Sequence, residues 1–170
     1  MFQTFYPDLW IDSVYSFDFE QAKAKGYDAV IFDIDNTLVP HGAPATGAAV
    51  QLFERLRELG FKTCLISNNK EPRVKSFAEQ VKSPYLLKAG KPAKAGYFKA
   101  MEITGTTAEN TLFIGDQLFT DVWGAKRVGI RCVLTKPIDP KEEIQIVLKR
   151  YLEKPVLREY VRKTQNKPEK

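Results

Sequence analysis

Short all-apolar runs alternate along the chain with stretches whose apolar positions recur every three or four residues, a pattern that predicts repeated strand and helix units. Residues 28–34, centred on Ala29-Val30-Ile31-Phe32, read as a first strand buried on both faces. Val50, Phe53, Leu56 and Leu59 then predict a helix over residues 46–59 that stops at Gly60. Residues 61–66 read as a second strand, 71–81 as a helix opened by Pro72, 85–87 as a short strand, and 92–103 as a helix with Pro at its start. Residues 111–114 are a further strand, 118–128 a helix halted by Gly129, 130–134 the last strand, and 140–152 a closing helix ended before Pro155. Strict alternation of this kind predicts an α/β fold, a Rossmann-like parallel sheet with helices on both faces and right-handed crossovers.

With 170 residues the chain is the size of one domain, able to bury about two-thirds of its unfolded surface without staples. We expect a single domain: a core at about residues 28–135, an aromatic N-terminal segment (1–27, with Phe2, Phe5, Tyr6, Trp10, Tyr15 and Phe17), and a basic C-terminal helix and tail (140–170), frayed from residue 164. No apolar run has transmembrane length and no basic-then-apolar leader opens the chain, so the expected location is cytoplasmic. Cys64 and Cys132 each lie in a strand-like run and read as buried free thiols. The single histidine, His41, reads as a loop residue and cannot build a multi-histidine zinc site.

The net charge of +5 is concentrated at one end: residues 141–170 hold nine Lys or Arg against five Glu. A solvated face accounts for such a run, and so does an anionic partner such as a phosphate-bearing molecule or a lipid surface.

In a parallel sheet the carboxyl ends of all strands line one edge, where ligands bind. The residues that follow the predicted strands are Asp33, Asp35 and Thr37; then Ser67-Asn68-Asn69; then Lys91-Pro92; then Gly115-Asp116, with Thr120-Asp121 beyond. Phosphoryl transfer needs a cation, hydrogen-bond donors and an in-line nucleophile, and this set offers all three. Asp33 and Asp116 suit Mg²⁺, a hard ion that prefers carboxylate oxygen. Ser67 and Lys91 can bind phosphoryl oxygens, with Thr37 and Asn68 beside them, and Asp33 can attack phosphorus. Two acids two residues apart can divide the work, one staying ionised while its charge keeps the other protonated as the acid. Each residue alone has a duller explanation: Ser67 and Asn68 as a helix cap, Lys91 as a surface lysine, Gly115-Asp116 as a turn, Asp121 as a solvated helix residue. Four such coincidences at one sheet edge are the weaker account.

The ordered set Asp33-Ile34-Asp35-Asn36-Thr37, Ser67, Lys91 and Gly115-Asp116 through Asp121 resembles the four motifs of haloacid dehalogenase superfamily phosphatases. The resemblance implies Asp33 as nucleophile, Asp35 as general acid and base, and Mg²⁺ held by Asp33, the main-chain carbonyl of Asp35, and Asp116. It also implies Ser67 and Lys91 as phosphate ligands, with Asp121 in support. Asp35 and Ser67 are 32 residues apart and Ser67 and Lys91 are 24 apart, each gap already filled by a helix and a strand, so no cap domain is expected. An uncapped site suits a phosphate projecting from something large, or a lid lent by a partner chain.

Within that superfamily, Tyr6-Pro7-Asp8-Leu9-Trp10, Ser13-Val14, Ser67-Asn68-Asn69 and Lys91-Pro92 are similar to the YqeG group of subclass IIIA, itself similar to phosphatidylglycerophosphate phosphatases. This implies a lipid headgroup phosphate as substrate, phosphatidylglycerol as product, and peripheral contact with an anionic inner-membrane surface. The aromatic start and basic tail agree with such contact. Small soluble phosphomonoesters, a non-catalytic phosphate-binding module, and a homo-oligomer stay open as alternatives. Nucleic acid is not an expected partner, since the basic residues are mixed with Glu and carry no recognition motif.

Overall fold

Ala29-Val30-Ile31-Phe32 is buried at every position because helices cover both faces of the sheet it enters. The computed structural model describes residues 1–69 and 72–165. Six strands, β1 (Leu9–Ile11), β2 (Ala29–Phe32), β3 (Lys62–Ile66), β4 (Tyr85–Leu86), β5 (Thr111–Gly115) and β6 (Arg131–Thr135), pair in parallel in the order β1-β6-β5-β2-β3-β4. The helices are α1 (Phe19–Ala24), α2 (Gly47–Glu58), α3 (Arg73–Val81), α4 (Lys94–Thr104), α5 (Trp123–Arg127) and α6 (Ile144–Gln165). The α/β parallel sheet expected from the alternation is thus present.

Successive β2 side chains feed two separate cores, as strand geometry requires. Val30 and Phe32 join Phe53 of α2 and Phe77 of α3, while Ile31 joins Tyr97 of α4 and Ala125 of α5 on the other face. Local chemistry sets the helix ends. The Thr46 hydroxyl accepts the Ala49 N–H at 3.2 Å to cap α2, and Gly60, at φ +85°, turns the chain back after it. The helix expected from residue 71 begins at Arg73; residue 71 and residues 166–170 lie outside the described residues.

Three expectations need correction. The closing helix does not end before Pro155: α6 runs through it to Gln165. Pro155 lacks the N–H that would meet the Tyr151 carbonyl, but both residues are exposed, so the freed carbonyl can be met by solvent at little cost. The helix expected over residues 118–128 opens as a wide π-type turn, Leu118–Val122, before α5. Finally, the N-terminal segment, in which no strand was expected, contributes β1, paired to β6; several of its aromatics pack, while Tyr15 stays exposed. Phe5 meets Phe119 and Trp123 at ring distances of 5.1 and 5.7 Å, and Tyr6 and Trp10 meet Tyr160 at 5.6 and 6.4 Å. They are engaged inside the fold instead of standing out as surface anchors.

Candidate active site

The carboxyl ends of β2, β3 and β5, with the loop after β4, bring Asp33, Ser67, Asp116 and Lys91 together. All four are buried, an expensive place for ionised groups unless each finds a partner. Lys91 Nζ lies 2.6 Å from Asp33 Oδ1 and 2.7 Å from Asp121 Oδ1. Burial works against the Lys91 ammonium, but Asp121 and Asp33 outweigh it and hold its pKa above the ordinary lysine value. The Asn68 side chain clamps this lysine from both sides: its amide donates to the Lys91 carbonyl (3.1 Å) and its oxygen accepts the Lys91 N–H (2.9 Å).

Asp121 is buried, not solvated, and the π-type turn aims it back toward its own start. Its Oδ2 accepts the N–H groups of Asp116 (3.2 Å) and Gln117 (3.1 Å), which leaves Oδ1 for Lys91. Gly115 makes this possible, since a Cβ there would lie within 2.6 Å of the Asp121 side chain. The Thr37 hydroxyl sits between Asp33 Oδ2 (3.3 Å) and Asp116 Oδ1 (3.2 Å). Thr37 was expected beside a phosphate; its hydroxyl is instead buried against the two carboxylates.

Asp33, Asp116 and Asp121 each place a carboxylate oxygen within 4.8 Å of the others. Burial, with Asp33 and Asp121 close by, pushes the Asp116 pKa well above the usual carboxylate range, against the pull of Arg150. Three buried carboxylates share contacts with Lys91 and Arg150, and Arg150 also serves Glu142 and Glu153. This surplus of negative charge on oxygen ligands fits a hard divalent cation. Asp121 is held by three donors and Asp33 and Asp116 by two each, Lys91 and Thr37 for the first and Thr37 and Arg150 for the second, which leaves Asp33 and Asp116 more acceptor capacity for a cation.

Asp35 departs from the expected pairing of two acids. Its carboxylate is held by donors from elsewhere: Arg73 Nη2 at 2.7 Å, the Gly42 N–H at 2.8 Å, and the Asn69 side-chain amide. Arg73, not Asp33, therefore sets its surroundings, and a metal could draw on Asp35 only through its carbonyl. Ser67 does not cap a helix; its hydroxyl accepts the Asn69 N–H at 3.0 Å.

Asp33, Asp35, Ser67 and Lys91 border a cavity of about 160 Å³ that is also lined by Glu143, just before α6, and by Ile146 and Lys149 in its first turns. His41 also borders it, with Nε2 3.5 Å from Glu143. A second cleft, of about 250 Å³ between α1 and the β1–β6 edge, holds none of the acidic cluster. The gaps between Asp35, Ser67 and Lys91 contain only loops, α2, β3, α3 and β4 among the described residues, so the covering element is the C-terminal helix.

That helix supplies residues missing from the expected site. Arg150 donates to the carboxylate and the main-chain carbonyl of Asp116, and to Glu142 from Nε (3.0 Å) and Nη2 (2.6 Å). Glu142 in turn accepts from the Asn36 side-chain amide at 2.9 Å, and Glu153 accepts the Leu118 N–H at 2.9 Å. The sequence carried little signal for this beyond Arg150, a charge within the helix expected over residues 140–152.

The sequence profile of haloacid dehalogenase-like hydrolases matches residues 43–129. Over 160 residues the chain is 34% identical to Probable phosphatase YqeG of Bacillus subtilis, covering 94% of this chain and 93% of that protein. It is 27% identical over 168 residues to Phosphatidylglycerophosphate phosphatase 1, chloroplastic/mitochondrial, of Arabidopsis thaliana; the match covers 92% of this chain and 48% of that protein, so the chain spans about half of that relative's length. In fold it is similar to a protein assigned to subfamily III A of the haloacid dehalogenase superfamily from Legionella pneumophila, with a TM-score of 0.56, 17% identity and 71% of each chain covered. With a profile match across half its length and a relative alike over nearly all of it, the chain belongs to the haloacid dehalogenase-like hydrolases and is a phosphoric monoester hydrolase.

Proposed function

We propose that the protein is a Mg²⁺-dependent phosphatase acting on a lipid-borne phosphomonoester, converting phosphatidylglycerophosphate to phosphatidylglycerol through a phosphate ester of Asp33. The observation that carries the chemistry is Asp33 at the cavity wall, with Lys91 Nζ 2.6 Å from one oxygen and the Asp116 cluster at the other. In this reading an Asp33 oxygen bonds to phosphorus as the bond from phosphorus to the substrate oxygen breaks, and the departing oxygen takes a proton from Asp35. Water then attacks the aspartyl phosphate and gives its proton to Asp35, which frees inorganic phosphate and restores the Asp33 carboxylate. Ser67 and Lys91 hold the phosphoryl oxygens, Asn68 and Asp121 position Lys91, and Arg73 must loosen its hold for Asp35 to exchange protons. Mg²⁺ held by Asp33, Asp116 and the Asp35 carbonyl would neutralise charge on the phosphoryl oxygens.

The lipid assignment is supported by the likeness to the Arabidopsis phosphatase and by a cavity of about 160 Å³, which admits a phosphoryl group while the bulk of a lipid stays outside. Hydrolysis of p-nitrophenyl phosphate with and without Mg²⁺ tests the mechanism, and Asp33→Asn is expected to lose at least about a thousandfold in kcat. Equal rates for variant and parent would overturn it. A substrate panel in which only small soluble phosphates turn over would overturn the lipid assignment alone. No helix among the described residues is long and apolar enough to cross a membrane, so access to lipid would be from the surface.

A further inference from the structure

The first three turns of α6 present an unbroken apolar stripe to solvent. Ile144, Leu148, Tyr151 and Leu152 recur at helical spacing and are 70, 59, 62 and 65% exposed, and Pro155 continues the line. The opposite face is the one that packs, through Glu153 and Val156. The helix thus packs inward through a mixed face of Val156, Glu153 and Arg150, and its outward apolar stripe has no partner among the described residues. Scattered surface leucines need no explanation, but a contiguous stripe on one helix marks an interaction face.

Charge identifies the partner. Lys149 and Lys154 flank the stripe, with Lys154 Nζ 4.2 Å from the Tyr151 ring centroid, and exposed Arg158 and Arg162 extend the same face. The nearby acids are engaged elsewhere: Glu142 and Glu153 with Arg150, Glu159 with Tyr6 and Lys163, and Glu143, at the start of the stripe, with His41 at 3.5 Å. A second copy docked stripe to stripe would press these cations together. An apolar stripe edged by cations, with its acids withdrawn, is instead the pattern of a helix lying in the plane of an anionic bilayer.

We propose that the outward face of α6 seats the protein on an anionic phospholipid bilayer. The inference rests on the lipid-borne reading of the substrate and gives it a geometry. Ile146 and Lys149, from the same helix, border the cavity over Asp33, so the element lying on the bilayer is also the wall of the site.

The test is flotation of the full chain with vesicles of phosphatidylcholine alone or mixed with phosphatidylglycerol. Binding is expected to the mixed vesicles only. Leu148→Glu/Leu152→Glu and Lys154→Glu/Arg158→Glu are each expected to weaken it at least tenfold while p-nitrophenyl phosphate hydrolysis stays at the parent rate, which also reports that the variants fold. Asp33→Asn is expected to float like the parent. The proposal is overturned by equal binding to neutral vesicles, by undiminished binding of either double variant, or by hydrolysis without any flotation. Sedimentation showing a dimer that Leu148→Glu/Leu152→Glu splits would overturn it in favour of a second copy. Flotation without hydrolysis would instead sink the phosphatase mechanism and leave the surface standing.

Discussion

Arg150, from the last helix of the chain, grips Asp116 at two points, its carboxylate and its main-chain carbonyl. The same guanidinium holds Glu142, so the segment that covers the site and the acid beneath it are fixed by one side chain. Arg150→Ala would strand Glu142, Glu153 and Asp116 in a buried setting. We expect a loss of about 3 kcal/mol in urea unfolding and a rise of about tenfold in the Mg²⁺ concentration needed for half-maximal activity. Arg150→Lys should recover little of either, because an ammonium cannot reproduce the guanidinium fork. Unchanged Mg²⁺ dependence in both variants would show that Asp116 keeps its orientation unaided.

The acidic cluster makes metal binding and pH interdependent. Burial, with Asp33 and Asp121 beside it, raises Asp116 above the 3.8 of an unfolded aspartate. A carboxyl shifted in this direction favours the folded state fully below that value, and its contribution fades as pH climbs through the folded-state pKa. Metal-free protein is therefore expected to lose stability from this cluster as pH rises above 3.8, and Mg²⁺, which needs the ionised carboxylates, to restore more at higher pH, compared at about pH 5 and about pH 8. Calorimetric melting at both pH values, with and without Mg²⁺, checks this. An Mg²⁺ effect larger at pH 5 has the wrong sign.

Two glycines separate a catalytic from a packing defect. A Cβ at Gly115 would lie within 2.6 Å of the Asp121 side chain and push it off Lys91, whereas a Cβ at Gly124 would strike Tyr97, whose hydroxyl donates to the main-chain carbonyls of Thr120 and Asp121, and not the Asp121 carboxylate itself. Both alanine variants should be destabilised by about 1–3 kcal/mol. Gly115→Ala should in addition lose at least about tenfold in kcat/KM among molecules that remain folded, since a 1 Å misplacement can cost far more than that. Equal specific activity of the two folded variants would remove Asp121 from the positioning of Lys91.

The cysteines titrate at the alkaline end. Burial pushes both the Cys64 and Cys132 thiols up to about 12. Their contribution to stability is intact below the unfolded value of 9.0 and is lost as pH rises toward about 12, so the alkaline limb of the stability curve should flatten in a Cys64→Ala/Cys132→Ala variant. In native protein neither thiol should react with a disulfide reagent near pH 8, and both should react in denaturant. Fast labelling of one thiol in native protein would place it nearer solvent than its burial allows.

The residues that were legible in the sequence are those whose position follows from where a strand ends. Asp33, Ser67 and Asp116 each directly follow an apolar run, so a parallel sheet alone brings them to one edge. Asn69 follows its strand within the Ser67-Asn68-Asn69 turn, but Arg73 and Arg150 have no such marker. Arg73 reaches Asp35 because α3 starts where it does, and Arg150 reaches Asp116 because α6 folds back over the sheet, a matter of tertiary docking that periodicity does not encode. Pro155 misled for the same reason: its helix-breaking tendency is real, but its cost depends on which way the freed carbonyl faces. The three-residue β1 was too short to stand out beside the aromatics that surround it.

The start of the chain and its last helix are buckled together. Tyr6 hydrogen-bonds Glu159 and packs on Tyr160, and the Lys126 ammonium ties the Tyr6 carbonyl to α5 at 2.7 Å. Trimming the first several residues would therefore not be a remote edit, because it would unfasten α6 and with it Arg150. For anyone engineering this protein, fusions and deletions at the amino end belong in the same class as substitutions within the catalytic pocket.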